Sequence, residues 1–288
     1  MKFLRYLCLL LAFLMCFISF SGCEAFKKPY PVTVAGVTVE SAPQKVAVLT
    51  DAAASYITTL GYGSYLFGAP TTYVNKNKSN SALVDLGSAL LVDEDALLEL
   101  SPDVLITSND LSTGLNDKLT LRNVKVIKLK TPETYDEVKN YFAELIKLFA
   151  GEKEYEEVKT TFLTEMDNKL KTIKAANTNT DKKVAVFVEQ NFVVTGDTLA
   201  GSLLDMAGIN NIAKDGENYI MTKEIVASNN PDIIFCAKGT VESILKADAY
   251  KEVTAIKNAA VYEIDVTGLL YGCDGFAALQ DMVTYINQ

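Results

Sequence analysis

The sequence predicts an α/β protein of two Rossmann-like lobes, each with a mainly parallel sheet, joined by one long rigid helix. Three observations carry that prediction. Short apolar strands alternate with helical patterns in two successive sets, which is the grammar of a parallel sheet covered on both faces. Between the sets one apolar stripe persists through Glu152 to Ala176, about 37 Å of helix. A short device also recurs: Asp95 to Ile106 reads DALLELSPDVLI, and Glu224 to Phe235 reads EIVASNNPDIIF. In each, a carboxylate stands seven residues before a proline, a short helix fills the interval, and a buried strand follows Pro-Asp. The break has a physical cause, since the residue before proline is driven out of the α region.

Taken in order, the chain opens with Lys2 and Arg5, an apolar run from Tyr6 to Phe20, and small residues Ser21-Gly22 before Cys23. That is the pattern of an export signal occupying residues 1–22. The apolar run is short for a membrane span of about 20 residues. Phe20-Ser21-Gly22-Cys23 resembles a bacterial lipobox, in which Cys23 is lipidated and becomes the first mature residue; Phe20 departs from the usual leucine. An ordinary cleaved signal or an uncleaved anchor is the alternative, and every reading places the body outside the cytoplasm.

Residues 23–44 form a linker and a hairpin, with Val32-Thr33-Val34 and Val37-Thr38-Val39 flanking Ala35-Gly36. Residues 45–150 form the N-terminal lobe. Its elements are the strand Lys45 to Leu49, a helix that stops at Gly61, strand Tyr65 to Phe67, a helix from about Asp93 to Leu100, and strands Val104 to Thr107 and Val124 to Leu129. Thr131-Pro132 suits a helix start, with threonine as cap and proline in the first turn. Tyr135, Val138, Phe142, Leu145 and Phe149 follow at helical spacing. The bridging helix occupies 151–177, where a coiled-coil arm is the weaker alternative because the stripe is short. Residues 178–288 form the C-terminal lobe: strand Val184 to Val188, a helix ending near Gly208, strands Asp232 to Cys236 and Val261 to Ile264, and a terminal helix from about Asp274 to Ile286.

Composition narrows the chemistry. At 288 residues the chain has room for two cores, and 49% apolar with 22% charged residues is globular. The net charge of −9 becomes more negative once the signal is removed, which argues against a nucleic-acid partner. There is no histidine, and Arg122 is the only arginine after the signal. His-based acid–base catalysis, Ser-His-Asp triads and His-ligated zinc are therefore excluded. Cys236 and Cys273 are the cysteines of the body; a disulfide and two buried thiols are equally open, and a metal site made from them is not expected. There is no Gly-x-Ser-x-Gly elbow and no P-loop, so neither an enzyme nor a resident cofactor is expected.

The order of motifs resembles the iron-siderophore, heme and cobalamin solute-binding family of ABC importers, the helical-backbone class of periplasmic binding protein. The resemblance runs from about Pro31 to the C-terminus. It rests on Pro43-Gln44-Lys45-Val46-Ala47-Val48, Leu60-Gly61, Leu86-Gly87, Leu98 to Ile106, Ala207-Gly208-Ile209-Asn210-Asn211, Asn230-Pro231-Asp232-Ile233-Ile234 and Ala255-Ile256-Lys257-Asn258-Ala259-Ala260-Val261-Tyr262. It implies a lipid-anchored, monomeric receptor that passes a small ligand to a permease and its ATPase. It also implies that Asp95 and Glu224 dock against permease arginines. Asp95 departs from the usual glutamate, and charge at a helix N-terminus is the plainer role for both.

In parallel α/β sheets ligands gather beyond the carboxyl ends of the strands. The candidate cleft residues are Thr50, Asp51, Tyr73, Ser108, Asn109 and Thr131 from the first lobe. Asn191, Phe192, Tyr219, Lys238 and Tyr271 come from the second. None is an arginine, the usual holder of anionic siderophores, and axial histidine ligation of heme is excluded, although tyrosine can ligate iron. A neutral or mildly charged ligand with a planar surface fits the aromatic set, and corrinoids and neutral iron chelates both qualify. A sensor or adhesin lipoprotein without a permease is the alternative, with an extracytoplasmic hydrolase behind it.

Overall fold

The computed structural model describes residues 28–88, 90–189, 192–272 and 275–288. The export signal, Cys23, Asn191 and Cys273 lie outside the described residues. Among the described residues no helix is long and apolar enough to cross a membrane.

A small antiparallel hairpin, β1 (Val32–Val34) and β2 (Val37–Val39), precedes the first sheet. That sheet contains β3 (Val46–Val48), β4 (Leu66–Ala69), β5 (Val84–Asp85), β6 (Val104–Thr107) and β7 (Lys125–Lys128). Its order is β5-β4-β3-β6-β7 and every pair is parallel. The helices between them are α1 (Asp51–Thr59), α2 (Thr71–Lys76), α3 (Glu94–Leu100) and α4 (Thr113–Leu121). The second sheet orders β10 (Asn210–Asn211), β8 (Lys183–Glu189), β11 (Ile233–Ala237) and β12 (Val261–Ile264), all parallel, with β9 (Phe192–Val193) antiparallel on β8. In both sheets the chain winds outward from its first strand and then crosses back to that strand's other side. Each lobe therefore has a switch point beside its first strand.

Alternation explains how each sheet is covered twice. Val46, Val48, Val104 and Ile106 point into one apolar cluster, while Ala47, Leu49 and Leu105 point into another with Leu97 and Leu119 of α3 and α4. In the second lobe Val184, Val186, Ile233 and Phe235 share the first cluster. Ala185, Phe187, Ile234 and Cys236 join Val226 and Ile244 on the outer face. The inner cluster is thus continuous from one lobe to the other. Cys236 is a buried thiol whose Sγ lies 3.6 Å from the Tyr262 carbonyl, and burial pushes its pKa up.

The connector, α5 (Tyr135–Ala176), is helical throughout except at Gly151 (φ 71°, ψ 173°), where the chain doubles back. The two limbs lie side by side: Phe142 and Phe162 have ring centroids 4.8 Å apart, and the Tyr135 hydroxyl donates to Asp167 at 3.0 Å. The stretch Glu152 to Ala176 is therefore the unbroken rod that the stripe predicts. It begins at the first lobe, with the Glu152 N–H donating to the Pro29 carbonyl at 2.8 Å. It ends at the second, where Asn177 Nδ2 donates to the Gly208 carbonyl at 2.7 Å and Asn287 Nδ2 to the Ala176 carbonyl at 2.7 Å. The start of α5 differs from the expectation. Thr134, not Thr131, caps the helix, because Thr134 and Glu137 exchange hydrogen bonds in a capping box.

The terminal part of the second lobe supplies α6 (Leu199–Met206), α7 (Lys223–Asn229), α8 (Val241–Leu245), α9 (Thr254–Lys257), α10 (Thr267–Tyr271) and α11 (Gly275–Ile286). Of these, α6 and α11 pack on α5 and α10 packs on both of them, and together they carry the inner cluster across. Gly272 closes α10 with φ 76°, and a Cβ there would lie 2.9 Å from Val138 Cγ2 and 3.2 Å from Leu199 Cδ2. Both the backbone angle and the close approach require glycine.

Candidate functional site

The carboxyl ends of β3 and β4 face α10 of the second lobe across a cavity of about 270 Å³. Its first-lobe wall is Asp51, Ser55 and Thr58 of α1 with Tyr73, Lys76 and Asn77 from α2; its second-lobe wall is Asp265, Thr267 and Tyr271. Local bonds set each side chain. Thr72 Oγ1 donates to Asp51 Oδ1 at 2.5 Å, Tyr73 Oη and Thr58 Oγ1 lie 2.8 Å apart, and Asp265 Oδ1 accepts the Thr267 N–H at 3.0 Å. Below the cavity the buried Tyr56 hydroxyl donates to the Tyr271 carbonyl, tying α1 directly to α10. The Tyr56 ring lies 4.8 Å from both Tyr141 and Phe142, so the tie is anchored in the core. Burial drives the Tyr141 pKa far above the ordinary phenol range. The lining carries two carboxylates, Asp51 and Asp265, against one ammonium, Lys76.

Of the residues predicted from sequence, Asp51, Tyr73 and Tyr271 meet on this cavity. Thr50 sits beneath it and caps α1 by accepting the Ala53 N–H at 3.2 Å. Ser108 and Asn109 follow β6, where the Asn109 N–H donates to Thr107 Oγ1 at 3.2 Å; Thr131 is exposed after β7. Lys238 is exposed after β11. Phe192 and Tyr219 make a second group on the second lobe, joined by the Val193 N–H to the Tyr219 carbonyl at 3.0 Å. Phe192 is 44% exposed, whereas Tyr219 is half-buried and burial raises its pKa. Asn191 lies outside the described residues.

Asp95 and Glu224 occupy the same position, second in α3 and α7, and both are exposed. These helices run against the strands that follow them, so both carboxylates lie at the cleft end of their sheets. Among the described residues no cluster of His, Cys, Asp and Glu could hold a metal ion.

Sequence reasoning missed Ser55, Thr58, Lys76, Asn77, Asp265 and Thr267. A signal for part of this set was present: Asp51, Ser55 and Thr58 recur at i, i+4 and i+7 in an otherwise apolar, small-residue helix, which places them on one face. Tyr73, Lys76 and Asn77 share a face of α2 by the same spacing. Helix α2 is fewer than two turns long, too short for periodicity to reveal.

The chain matches the periplasmic binding protein family over residues 46–266. It is 25% identical over 255 residues to an ABC transporter substrate-binding lipoprotein of Bacillus subtilis (strain 168) that is itself uncharacterized. That match covers 82% of this chain and 79% of the relative. Its fold is similar to that of the periplasmic heme-binding protein RhuT of Roseiflexus sp. RS-1 in apo form, with TM-score 0.67, 16% identity, and 84% and 97% of the two chains covered. It is also similar to the periplasmic vitamin B12 binding protein BtuF of Vibrio cholerae, with TM-score 0.64, 18% identity, and 85% and 97% covered. The parallel lobes, the rod between them and a cavity lined from both sides have one common explanation: the chain belongs to the periplasmic binding protein family, as the resemblance in its sequence implied.

Proposed function

We propose that this chain is the extracytoplasmic solute-binding component of an ABC importer. Held to the membrane by lipid on Cys23, it takes up an iron chelate or corrinoid-like ligand between its lobes as a monomer and delivers it to a permease, without turnover. The observation that supports this best is the cavity itself, where Asp51 and Tyr73 of one lobe face Asp265 and Tyr271 of the other at the carboxyl ends of the strands. The lipoprotein relative supports the importer reading, and the heme- and vitamin B12-binding structural relatives support the ligand class.

The lining favours a neutral or weakly charged ligand, since an anionic chelate would meet two carboxylates and no arginine. Tyr73 and Tyr271, one from each lobe, supply the aromatic surfaces on which the flat face of such a ligand would rest. Phe192 and Tyr219 extend the aromatic rim. Thr50, Ser108, Asn109, Thr131, Asn191 and Lys238 supply the surrounding loops, and Asp95 and Glu224 meet the permease.

Native mass spectrometry of the purified protein tests the reading without presupposing a compound. One retained equivalent with the mass of a corrinoid or ferric chelate, absent from the Tyr73→Ala, Tyr271→Ala double variant, supports it. A protein that retains nothing and shows no thermal shift with corrinoids, heme or neutral ferric chelates removes the ligand class.

A further inference from the structure

The cavity between the lobes carries a charge that its own lining does not balance. Asp51 reaches it from the first residue of α1 and Asp265 from two residues before α10, so each lobe supplies one carboxylate. Local bonds hold both: Asp51 Oδ1 accepts the Thr72 hydroxyl at 2.5 Å, and Asp265 Oδ1 accepts the Thr267 N–H at 3.0 Å. These bonds orient the carboxylates without neutralising them. Among the described residues neither aspartate takes part in an ion pair, and Lys76, on the same cavity, pairs with neither. Two carboxylates against one ammonium leave the lining with a single negative charge.

A helix start accounts for either carboxylate alone, because negative charge is favoured there. It does not account for their meeting. Like charges brought to one cavity by separate lobes oppose each other, and a ligand that covers them strips away the water that screens them. A bound cation offsets both costs. The rest of the lining suits a cation with several N–H donors: Ser55, Thr58 and Tyr73 bring hydroxyl oxygens, and the rings of Tyr73 and Tyr271 attract positive charge. Asn77 Nδ2 donates to the Tyr73 carbonyl at 2.9 Å, which leaves the amide oxygen of Asn77 as an acceptor. Among the described residues no carboxylate-rich cluster could hold a bare metal ion, so an organic cation is the fitting guest.

We propose that this cavity is an ammonium subsite: the ligand carries a primary ammonium on a flexible arm, seated between Asp51 and Asp265, while its body rests on the aromatic rim. This rests on the solute-binding reading above and narrows the ligand from weakly charged to one with a cationic arm.

Three ferric chelates with one shared coordination sphere test the proposal on the full-length lipoprotein purified in detergent. They are ferric desferrioxamine B, whose free primary ammonium makes the complex singly positive, its neutral N-acetyl derivative, and its singly negative N-succinyl derivative. Calorimetric titration is expected to give a Kd about tenfold lower for the ammonium form than for the acetyl form, with the succinyl form weaker still. The Asp51→Asn, Asp265→Asn double variant is expected to bind the ammonium and acetyl forms alike. Lys76→Gln removes the competing cation and is expected to tighten the ammonium form several-fold while leaving the acetyl form unchanged, a gain that misfolding does not produce. As a probe without a chelate, n-pentylammonium is expected to raise the melting temperature of the wild type more than n-pentanol does, and to lose that advantage in the double variant.

If the wild type binds the acetyl or succinyl form as tightly as the ammonium form, the ammonium proposal is overturned and the solute-binding reading stands. If none of the three chelates binds, the amine decides: selective stabilisation of the wild type supports the subsite, and equal shifts with amine and alcohol overturn it. A protein that also retains no ligand through purification and is not stabilised by corrinoids or heme loses the solute-binding reading as well.

Discussion

Asp103 and Lys45 bind each other's backbone: the Asp103 N–H donates to the Lys45 carbonyl at 3.0 Å, and Asp103 Oδ1 accepts the Lys45 N–H at 3.1 Å. Lys45 Nζ then reaches back to the Leu100 carbonyl at 3.0 Å, at the end of α3. Asp232 and Lys183 do the same in the second lobe. The Asp232 N–H meets the Lys183 carbonyl at 2.8 Å, Asp232 Oδ2 accepts the Lys183 N–H at 2.8 Å, and Lys183 Nζ reaches the Asn229 carbonyl at 3.2 Å. Each Pro-Asp step thus joins the end of a helix to the first strand of its sheet. The preceding residues, Ser101 and Asn230, turn through left-handed geometry with φ 48° and 49°.

Removing either carboxylate therefore leaves strand-opening N–H groups without their charged acceptor. Asp103 accepts from both Gln44, at 2.6 Å, and Lys45, whereas Asp232 accepts from Lys183. Asp103→Ala is expected to cost about 1–2 kcal/mol and Asp232→Ala somewhat less, because the sites are partly solvated. Urea unfolding of the two variants checks the order, and equal costs would remove the argument from the number of bonds.

Gly151 is where α5 turns back, and two penalties converge on its replacement. Its φ of 71° is strained for any residue with a Cβ, and that Cβ would sit 2.5 Å from the Pro29 carbonyl oxygen, which already accepts from Glu152. Gly151→Ala is expected to destabilise by about 1–3 kcal/mol. Denaturant midpoints measure it; an unchanged midpoint would mean that the turn relaxes freely.

Much of this architecture is legible in the sequence where one physical signal dominates. The stripe from Tyr155 to Ile173 and the Pro-Asp breaks each permit a single local structure, and they place the rod and the repeat. Where two signals compete, the reading is less secure. Thr131-Pro132 looks like a helix start, yet Thr134-Tyr135-Asp136-Glu137 is a capping box, and the reciprocal bonds of the box decide the boundary. Upstream of the helix caps the lobes diverge, since Asn218 and Tyr219 hold positive φ ahead of α7 whereas Leu90 ahead of α3 does not, so the repeat is confined to the short helix and the Pro-Asp step. The cavity was half legible: strand ends point to Asp51, but Asp265 and Thr267 join it only because α10 folds against α1.

Tyr56 and Tyr271 give a direct measure of the coupling between lobes, because the Tyr56 hydroxyl crosses from α1 to the carbonyl at the end of α10. Tyr56→Phe keeps the ring among Tyr141 and Phe142 and removes the hydroxyl donor. The expected cost is about 1 kcal/mol, with faster amide exchange through α10 than in the rest of the second lobe. Hydrogen exchange by mass spectrometry resolves the two, and uniform exchange across α10 and α11 would argue against a local tie.

A core that runs without a break through α5 opposes hinge motion, since lobe rotation would open apolar surface on α6, α10 and α11. Ligand addition is therefore expected to leave the radius of gyration in small-angle scattering unchanged within error. A clear contraction would show that the rod bends or that its ends release.

Asp197 holds the turn that carries both Tyr219 and Ile220. Its Oδ1 accepts the Thr195 hydroxyl at 2.6 Å and its Oδ2 the Asn218 N–H at 2.8 Å, while Thr195 Oγ1 accepts the Tyr219 N–H at 3.0 Å. The bond from Thr195 is the main cause of a carboxyl pKa below the ordinary aspartate value of 3.8, followed by the bond from Asn218. A lowered folded-state pKa means that the contribution is present in full above that ordinary value and is lost as pH falls through the folded one. The melting temperature of the wild type should therefore exceed that of Asp197→Ala by a constant amount at neutral pH, with the gap closing only in acid below 3.8. Asn218 and Tyr219 both hold positive φ, at 57° and 61°, so the same variant should release the turn and weaken retention of any ligand resting on Tyr219. A gap that closed between pH 5 and 7 would place the titrating group elsewhere, since a carboxylate held by donors cannot lose its charge in that range.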